Sequence, residues 1–469
     1  MRYVSTRGRV APVSFRQAVM MGLADDGGLL IPERIPDARG RLDDWRHMAY
    51  PQLALEVIRL FVGDIPDDDL RSLIDKAYVG PFDPASPPIV RVGATHVLEL
   101  WHGPTMSFKD FALQFLGNLF EYILTRAGGR LNILGATSGD TGSAAICGVR
   151  GRQAIDVFMM HPRGRVSAIQ ERQMTTVLDA NVHNLAVEGT FDDCQKIMKT
   201  LACDLDFKRK YSLGAVNSVN WARIVAQIVY YFYATLRLRP AGGAGKVRVC
   251  VPTGNFGNIL AGWYALQMGA PISTLILATN ENDILARFFN TGVYSRGPTH
   301  QTLAPAMDIQ VASNFERYLY YRTGCDASRL RELMGRFAET GSLRVETGVG
   351  PVDEAFEAGA ATAQDVLDAI RRCHEEYRYL LDPHTACGYS VATSLVPAAV
   401  RQGGAAEAEP LLCVATAHPA KFPGAIREAT GQDIARHAEI DRLSGLPTRC
   451  RVLPNDPEAV REFIITTVG

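Results

Sequence analysis

The segment Ser107-Phe108-Lys109-Asp110 places one lysine after a turn and at the start of a helix with an apolar face. A lysine held among apolar neighbours has a lowered pKa, and its neutral amine is a nucleophile. An amine of this kind forms a Schiff base with pyridoxal phosphate, so we predict that Lys109 binds that cofactor covalently. The alternative is an ordinary solvated lysine, which is the commoner state of a lysine considered alone. Three later segments favour the first interpretation.

A glycine-containing loop follows the buried strand predicted over residues 247–251 and precedes a helix predicted from about Ile259. Glycine lets the backbone approach an anion closely, and a helix N-terminus presents unpaired amides and the positive end of its dipole. The loop contains no dinucleotide fingerprint and no phosphate-binding Gly-Lys-Ser/Thr sequence. We therefore predict a cradle for one phosphate, such as that of pyridoxal phosphate, formed by Gly254, Asn255, Phe256 and Asn258. A plain strand-to-helix turn is the alternative.

A polar loop, residues 137–142, lies in the same way between the strand predicted over residues 131–134 and a helix of small residues. The hydroxyls of Thr137, Ser138 and Thr141, together with the backbone amides, suit the carboxylate or phosphate of a small substrate. Asp140 is itself an anion, so the backbone amides are predicted to do most of the binding.

Thr416 follows the late apolar strand predicted over residues 411–415. A buried hydroxyl needs a hydrogen-bond partner, and the nitrogen of a pyridine ring would be one. Unlike a carboxylate, a hydroxyl does not keep that nitrogen protonated, so the ring withdraws electrons less strongly. A threonine that bonds only to backbone is the alternative.

The elements that position these residues alternate between strand and helix from about residue 91 onward, which indicates parallel sheets with ligands at the carboxyl ends of the strands. One predicted helix has its apolar face at Phe111, Phe115, Leu116, Leu119, Phe120, Ile123 and Leu124 and ends at Gly128-Gly129. Thr190 and Asp193 have the spacing of a capping box. Residues 1 to about 90 are predicted to form a mixed, mostly helical region, and the prolines at 81–88 mark a connection.

The composition of the 469 residues, 47% of them hydrophobic, indicates a large folded core, and the formal net charge of -1 gives no general attraction to nucleic acid or membrane. The nine cysteines include no Cys-x-x-Cys pair, so free thiols in a reducing cytoplasm are expected rather than disulfides or a metal site. No signal sequence and no run of eighteen apolar residues is evident. These observations predict a cytoplasmic protein with no metal, nucleic-acid or membrane partner.

Several ordered motifs resemble those of the bacterial and fungal threonine synthases, in the tryptophan-synthase-β-like group of pyridoxal phosphate enzymes of fold type II. The resemblance extends nearly from end to end. Its motifs lie at residues 3–8, 22–29, 101–110, 135–142, 217–223, 254–258, 307–317, 382–386 and 416–422. Val219 stands where a bulkier aliphatic residue is expected, which touches none of the predicted cofactor positions.

The resemblance implies a fold of two lobes, with parallel sheets flanked by helices. Residues 1–90 would form an N-terminal domain of the threonine synthase type, and residues 91–469 the catalytic core, with a smaller lobe at about 125–205. The subunit would be a monomer or a homodimer.

The implied reaction is the conversion of O-phospho-L-homoserine and water to L-threonine and phosphate. Lys109 would bind pyridoxal phosphate and move protons at Cα, Cβ and Cγ of the substrate. Asn220 and Arg223 would join the Thr137–Gly142 loop in binding substrate anions, although an ordinary salt bridge is the alternative for Arg223. A phospholyase or dehydratase of the same fold, and a non-catalytic cofactor carrier, remain as competing hypotheses.

Overall fold

The computed structural model describes residues 1–214, 216, 218–239, 245–346, 352–396 and 409–469. Its core contains two sheets of mainly parallel strands covered by helices, which confirms the α/β class predicted from the alternation of elements. Within these ranges, no helix combines the length and the apolarity that a membrane span requires.

The larger sheet has six strands in the spatial order β13-β10-β9-β14-β4-β3. Its strands are β3 (Ile89–Val92), β4 (Thr95–Glu99), β9 (Val247–Pro252), β10 (Ile272–Thr279), β13 (Phe356–Ala360) and β14 (Leu411–Ala415). All neighbouring pairs are parallel except β3 and β4. Since β9, β14 and β4 are adjacent, the loops that follow them emerge side by side.

The smaller sheet has five parallel strands in the order β15-β7-β6-β5-β8. These are β5 (Leu131–Ala136), β6 (Ile155–Pro162), β7 (Val182–Val187), β8 (Leu213–Gly214) and β15 (Arg451–Leu453). Strands β5, β6 and β7 lie within the range of about 125–205 that was predicted for a smaller lobe. However, the sheet also takes in β8 and, from the far end of the chain, β15, whose residues pair with β7 at Leu185–Val187.

The N-terminal region is mostly helical, as predicted. It contains β1 (Tyr3–Ser5) paired with β2 (Leu30–Pro32), and the helices α1 (Phe15–Met21), α2 (Leu42–Trp45), α3 (Tyr50–Ile58) and α4 (Asp67–Tyr78). It is joined to the core by a buried chain of hydrogen bonds. Trp221 Nε1 donates to the Tyr3 hydroxyl at 3.0 Å, and that hydroxyl donates to the carbonyl of Phe61 at 2.7 Å.

Fifteen helices of the described residues follow. They are α5 (Lys109–Ala127), α6 (Asp140–Val149), α7 (Ala168–Thr175), α8 (Phe191–Cys203), α9 (Leu205–Lys210), α10 (Trp221–Leu238), α11 (Gly257–Met268), α12 (Ile284–Thr291), α13 (Phe315–Arg322), α14 (Ala327–Thr340), α15 (Ala363–Tyr377), α16 (Pro383–Leu395), α17 (Pro423–Thr430), α18 (Ala438–Leu443) and α19 (Pro457–Val468). A short strand pair, β11 (Val293–Ser295) and β12 (Ser342–Arg344), lies between α12 and α15 in the sequence.

Two local predictions about helix ends are confirmed. Helix α5 ends at Gly128, which adopts a left-handed conformation with φ 65° and donates its amide to the carbonyl of Leu124. Thr190 and Asp193 form the capping box that begins α8. Helix α11 begins two residues before the predicted position, because Phe256 takes a left-handed conformation (φ 63°) and turns the chain into the helix at Gly257.

Candidate active site

The loops that follow β4, β9, β14 and β5 meet around one cleft. The first three come from adjacent strands of the larger sheet, and the fourth comes from the smaller sheet. The carboxyl ends of parallel strands are where ligands bind in α/β folds of this kind. The lining residues are Phe108, Lys109, Asp140, Thr141, Ser218, Arg223, Gln227, residues 252–258, Ala306, Met307, His384 and Thr416.

Lys109 is the first residue of α5, and its side chain is buried at the wall of this cleft. Backbone contacts tie the preceding turn to the end of β14, since the Phe108 amide donates to the carbonyl of Thr416 at 2.9 Å. The Nζ atom lies 3.3 Å from Asp140 Oδ2. Burial lowers the pKa of Lys109, and the nearby charges of Lys421 and Arg223 lower it further, against the opposing effect of Asp140. The amine thus has the depressed pKa that a nucleophile or proton acceptor needs.

The glycine loop lies against the residues before Asp308, at the positive end of α11. A Cβ atom at Gly254 would lie 2.6 Å from the carbonyl oxygen of Ala306, so no larger residue fits there without a shift of backbone. The Asn255 carbonyl accepts hydrogen bonds from the amide and the side chain of Asn314, both at 3.1 Å. These contacts fix the loop before α11, whose first residues Gly257 and Asn258 line the cleft, and the unpaired amides at a helix N-terminus are a phosphate-binding arrangement.

Asn258 contributes an unpaired polar group to the same end of the cleft. Its Oδ1 accepts hydrogen bonds from the hydroxyls of Tyr230 and Tyr231, at 2.5 and 2.8 Å. These bonds orient the side-chain amide, and its buried Nδ2 has no partner among the described residues. A buried donor without an acceptor costs about 1–3 kcal/mol, so a bound anion would satisfy it.

Thr416 follows β14 and lines the cleft, with its side chain mostly buried. Its backbone amide donates to Thr385 Oγ1 at 3.1 Å, and Thr385 in turn donates to Asp382. The side-chain hydroxyl makes no hydrogen bond to a described residue. The strand end is therefore held by backbone contacts, and the hydroxyl is left for a ligand.

The four predicted residues of the polar loop have different positions. Asp140, at the first position of α6, and Thr141 line the cleft, whereas Thr137 and Ser138 do not. Thr137 Oγ1 is buried and accepts hydrogen bonds from the amides of Gly139 and Gly142, at 3.0 and 2.9 Å. The Thr137 hydroxyl therefore stabilises its own loop. The substrate-binding role predicted for Thr137 and Ser138 stays a prediction.

Asn220 and Arg223, both expected to bind substrate anions, also differ. Asn220 does not line the cleft: its Oδ1 caps α10 by accepting from the amide of Ala222, and its Nδ2 donates to the carbonyl of Val19 at 2.9 Å. Arg223 does line the cleft, and burial lowers its pKa to about 10, with no carboxylate among the groups that act on it. Its Nε has no partner among the described residues. The salt-bridge alternative for Arg223 is therefore not observed in the described part of the chain.

Several residues of the site were not predicted. His384 accepts a hydrogen bond at Nε2 from the amide of Ala306 at 3.2 Å, and its Nδ1 donates to Asp382 Oδ1 at 3.0 Å. Gln170 Nε2 donates to Asp140 Oδ1 at 2.9 Å, and Lys421 Nζ lies 2.7 Å from the same oxygen. Lys421 lies within the motif at residues 416–422, between apolar Ala420 and Phe422, but no local pattern assigned it a role.

These residues fit pyridoxal phosphate. The cleft joins a buried amine with a lowered pKa, a glycine loop with no room for a Cβ at Gly254, and, with no partner among the described residues, the side-chain amide of Asn258 and the hydroxyl of Thr416. The loop and Asn258 would hold the phosphate, Thr416 would meet the ring nitrogen, and Lys109 would reach the aldehyde carbon.

Comparison with known proteins agrees with this fit. Family models described as "Threonine synthase N terminus", "Pyridoxal-phosphate dependent enzyme" and "Threonine synthase, C-terminal" match residues 2–78, 94–352 and 385–464. The chain is 44% identical to the threonine synthase of Pseudomonas aeruginosa, in an alignment that covers 99% of this chain and 98% of that protein.

Solved structures give the same result. A threonine synthase from Brucella melitensis with bound pyridoxal phosphate superimposes with a TM-score of 0.93 and 41% identity, over 100% of this chain and 99% of that one. The yeast threonine synthase superimposes with a TM-score of 0.91 and 38% identity, over 99% and 98% of the two chains. From its fold, its cleft and these full-length similarities, the chain belongs to the threonine synthase family of pyridoxal-phosphate-dependent enzymes.

Proposed function

We propose that this chain converts O-phospho-L-homoserine and water to L-threonine and phosphate, with Lys109 as its catalytic residue. The observation that carries the proposal is the buried amine of Lys109 in a cleft that also holds two separate groups of anion-binding atoms. One group is the glycine loop with Asn258, at the start of α11. The other is Arg223 and the start of α6. One group suits the cofactor phosphate and the other suits the anions of the substrate.

Pyridoxal phosphate, when bound, supplies an electron sink for negative charge that develops beside the amino-bearing carbon of the substrate. The protein supplies the proton transfers. Lys109, once its amine is free, would take the proton from Cα and deliver or remove protons at Cβ and Cγ, because burial lowers the pKa of its amine below that of an ordinary lysine and so favours proton acceptance. Phosphate would leave from Cγ and water would add at Cβ.

The positive charge for the departing phosphate would come from Arg223. Its guanidinium is buried and lines the cleft, Nη1 donates to the carbonyl of Val216 at 3.0 Å, and Nε has no partner among the described residues, so Nε can donate to an anion that enters. The amides at the start of α6 and the hydroxyl of Thr141 would bind the other substrate anion, and Asp140 would be neutralised by Lys421, the lysine with the shorter contact to it. Thr137, Ser138 and Asn220 would act by shaping these loops.

The decisive test is to supply the purified enzyme with O-phospho-L-homoserine and measure phosphate release and threonine formation together. Equal amounts of the two products are expected. A phosphorylated amine and L-threonine should be tested beside it, because they are substrates of the competing phospholyase and dehydratase hypotheses. Phosphate release from the phosphorylated amine alone, or turnover of L-threonine alone, would contradict the proposal.

Arg223→Met should raise the KM for O-phospho-L-homoserine by about 10–100-fold, since a charged hydrogen bond contributes about 1.5–3 kcal/mol. The affinity for pyridoxal phosphate should change much less. The matched control is Arg71→Met, which replaces an exposed arginine on α4. An unchanged KM in a folded Arg223→Met enzyme would remove Arg223 from the substrate site.

Thr416→Val should weaken binding of pyridoxal phosphate by about 1–3 kcal/mol, because the ring nitrogen would lose its donor in a buried place. Thr416→Ser keeps the hydroxyl and should bind the cofactor almost as well as the wild type. Both affinities can be measured by titration of the visible absorbance of the bound cofactor. Equal affinities for the valine and serine variants would show that the hydroxyl does not contact the ring.

We also propose that the enzyme acts in the cytoplasm, on a small-molecule substrate, as a monomer or homodimer. All nine cysteines are free, which supports a reducing environment. Light scattering at several protein concentrations would distinguish the two assembly states.

A further inference from the structure

Lys421 is a fully buried lysine (0% exposed) that does not line the cleft. It belongs to the short 3₁₀ turn Pro419–Lys421 that follows β14. Its Nζ donates to Asp140 Oδ1 at 2.7 Å and to the carbonyl of Thr105 at 2.8 Å. A lysine is almost never fully buried unless it is paired, so its position calls for a functional explanation.

Asp140 is shared between two lysines. Lys421 contacts one carboxylate oxygen at 2.7 Å, and Lys109 contacts the other at 3.3 Å. One negative charge therefore faces two lysine amines in a buried place, and Lys421 has the shorter contact and a second acceptor. Lys109 lies farther from Asp140 than Lys421 does, so a positive charge on Lys109 would be less well compensated than one on Lys421.

The pair also joins the two sheets. Asp140 begins α6, which follows β5 of the smaller sheet, whereas Lys421 follows β14 of the larger sheet. Gln170 of α7 donates to the carboxylate oxygen that Lys421 contacts. The carboxylate is therefore fixed from both lobes and is not free to turn wholly toward Lys109.

We propose that Lys421 is a positioning residue that holds and neutralises Asp140, and so leaves Lys109 at the cleft wall as a neutral amine. The inference rests on the proposed function in one respect, the use of the Lys109 amine. In this arrangement Lys421 contacts neither substrate nor cofactor. It also removes the repulsion that an uncompensated Asp140 would exert on an anionic substrate.

The charges around the group agree with this assignment. Burial lowers the pKa of Lys109, Asp140 raises it, and Lys421 and Arg223 lower it. Burial would raise the pKa of Asp140, but Lys421 and then Lys109 outweigh that effect and hold the pKa well below its usual range, with a smaller contribution from His384. Asp110 and His418 are the other titratable groups on which Lys421 acts.

The experiment measures the protonation of Lys109 directly in the full chain from which the cofactor has been removed. Trace acetic anhydride labels each neutral amine in proportion to its abundance, and mass spectrometry of the Lys109 peptide across pH gives its apparent pKa. The exposed lysines Lys196 and Lys199 serve as internal references. In Lys421→Met the apparent pKa of Lys109 should rise by about one unit or more. The carboxylate of Asp140 would then attract the protonated Lys109 without competition from Lys421, and the repulsion from the Lys421 charge would be lost.

Lys421→Gln should produce the same rise, because it retains a donor for Thr105 but lacks the charge, and it also serves if the methionine variant fails to fold. Lys199→Met, at an exposed position of α8, should leave the profile unchanged. An unchanged Lys109 profile in either folded Lys421 variant, or a rise in the methionine variant alone, would overturn the inference. Because labelling requires no substrate, it can succeed or fail independently of threonine formation from O-phospho-L-homoserine.

Discussion

Replacing Lys109 with alanine is expected to abolish threonine formation and the visible absorbance of the bound cofactor. Lys109 is the lysine that lines the cleft, its pKa is lowered by burial, and the turn before it is tied to Thr416 by backbone contacts. Loss of general acid–base catalysis alone accounts for about 10²–10⁴-fold in rate, and loss of the covalent attachment adds to it. Activity should therefore fall below detection.

Borohydride reduction of the wild-type enzyme, followed by peptide mapping, should place the pyridoxyl group on Lys109. Lys421 is the most informative competitor, because it is also buried but does not line the cleft. Lys196→Ala, at an exposed position of α8, should keep full activity and absorbance. A pyridoxyl group on Lys421, or on any other lysine, would contradict the assignment.

Gly254→Val should weaken the binding of pyridoxal phosphate by about 10–100-fold, with a smaller effect on folding. A Cβ at this position would meet the Ala306 carbonyl oxygen at 2.6 Å and the Met307 Cα at 3.1 Å, so the loop must move. Overpacking of this kind costs about 1–3 kcal/mol, and the displaced loop would carry its backbone amides away from the cofactor phosphate. Titration of cofactor absorbance gives the affinity, and thermal unfolding of the cofactor-free protein gives the stability.

The matched control is Gly335→Val on α14, where an added Cβ would meet nothing within 4 Å. This variant should bind the cofactor as the wild type does. If Gly254→Val retained wild-type affinity, the phosphate cradle would lie elsewhere. If both variants lost affinity equally, the effect would not be specific to the glycine loop.

Much of the fold could be predicted from the sequence, because the determinants are local. Strands such as β9 and β14 are short apolar runs followed by polar loops, and α5 has an apolar face that ends at a glycine. The sequence also located the cleft, since parallel strands of one sheet bring the loops at their carboxyl ends together. Lys109, Gly254 and Thr416 come from three such loops, and all three line the cleft.

The roles of individual polar side chains depended on contacts that no local pattern contains. Thr137 and Asn220 belong to the predicted loops, but their polar atoms are used by neighbouring amides and by the Val19 carbonyl. Arg223 lies three residues after Asn220 and faces the cleft instead. A hydrogen-bonding side chain can serve its own loop or a ligand, and only its three-dimensional surroundings determine which.

The elements, the α/β class and the loops that carry the chemistry can be predicted from the amino-acid sequence, because hydrophobic period, turn residues and helix caps act over a few positions. Which distant residues meet depends on the folded chain. Asp140 and Lys421 form a buried ion pair across the two lobes, and β15, near the end of the chain, completes a sheet whose other strands lie within residues 131–214. Such contacts depend on how the whole core closes, and burial then shifts the pKa of groups such as the amine of Lys109.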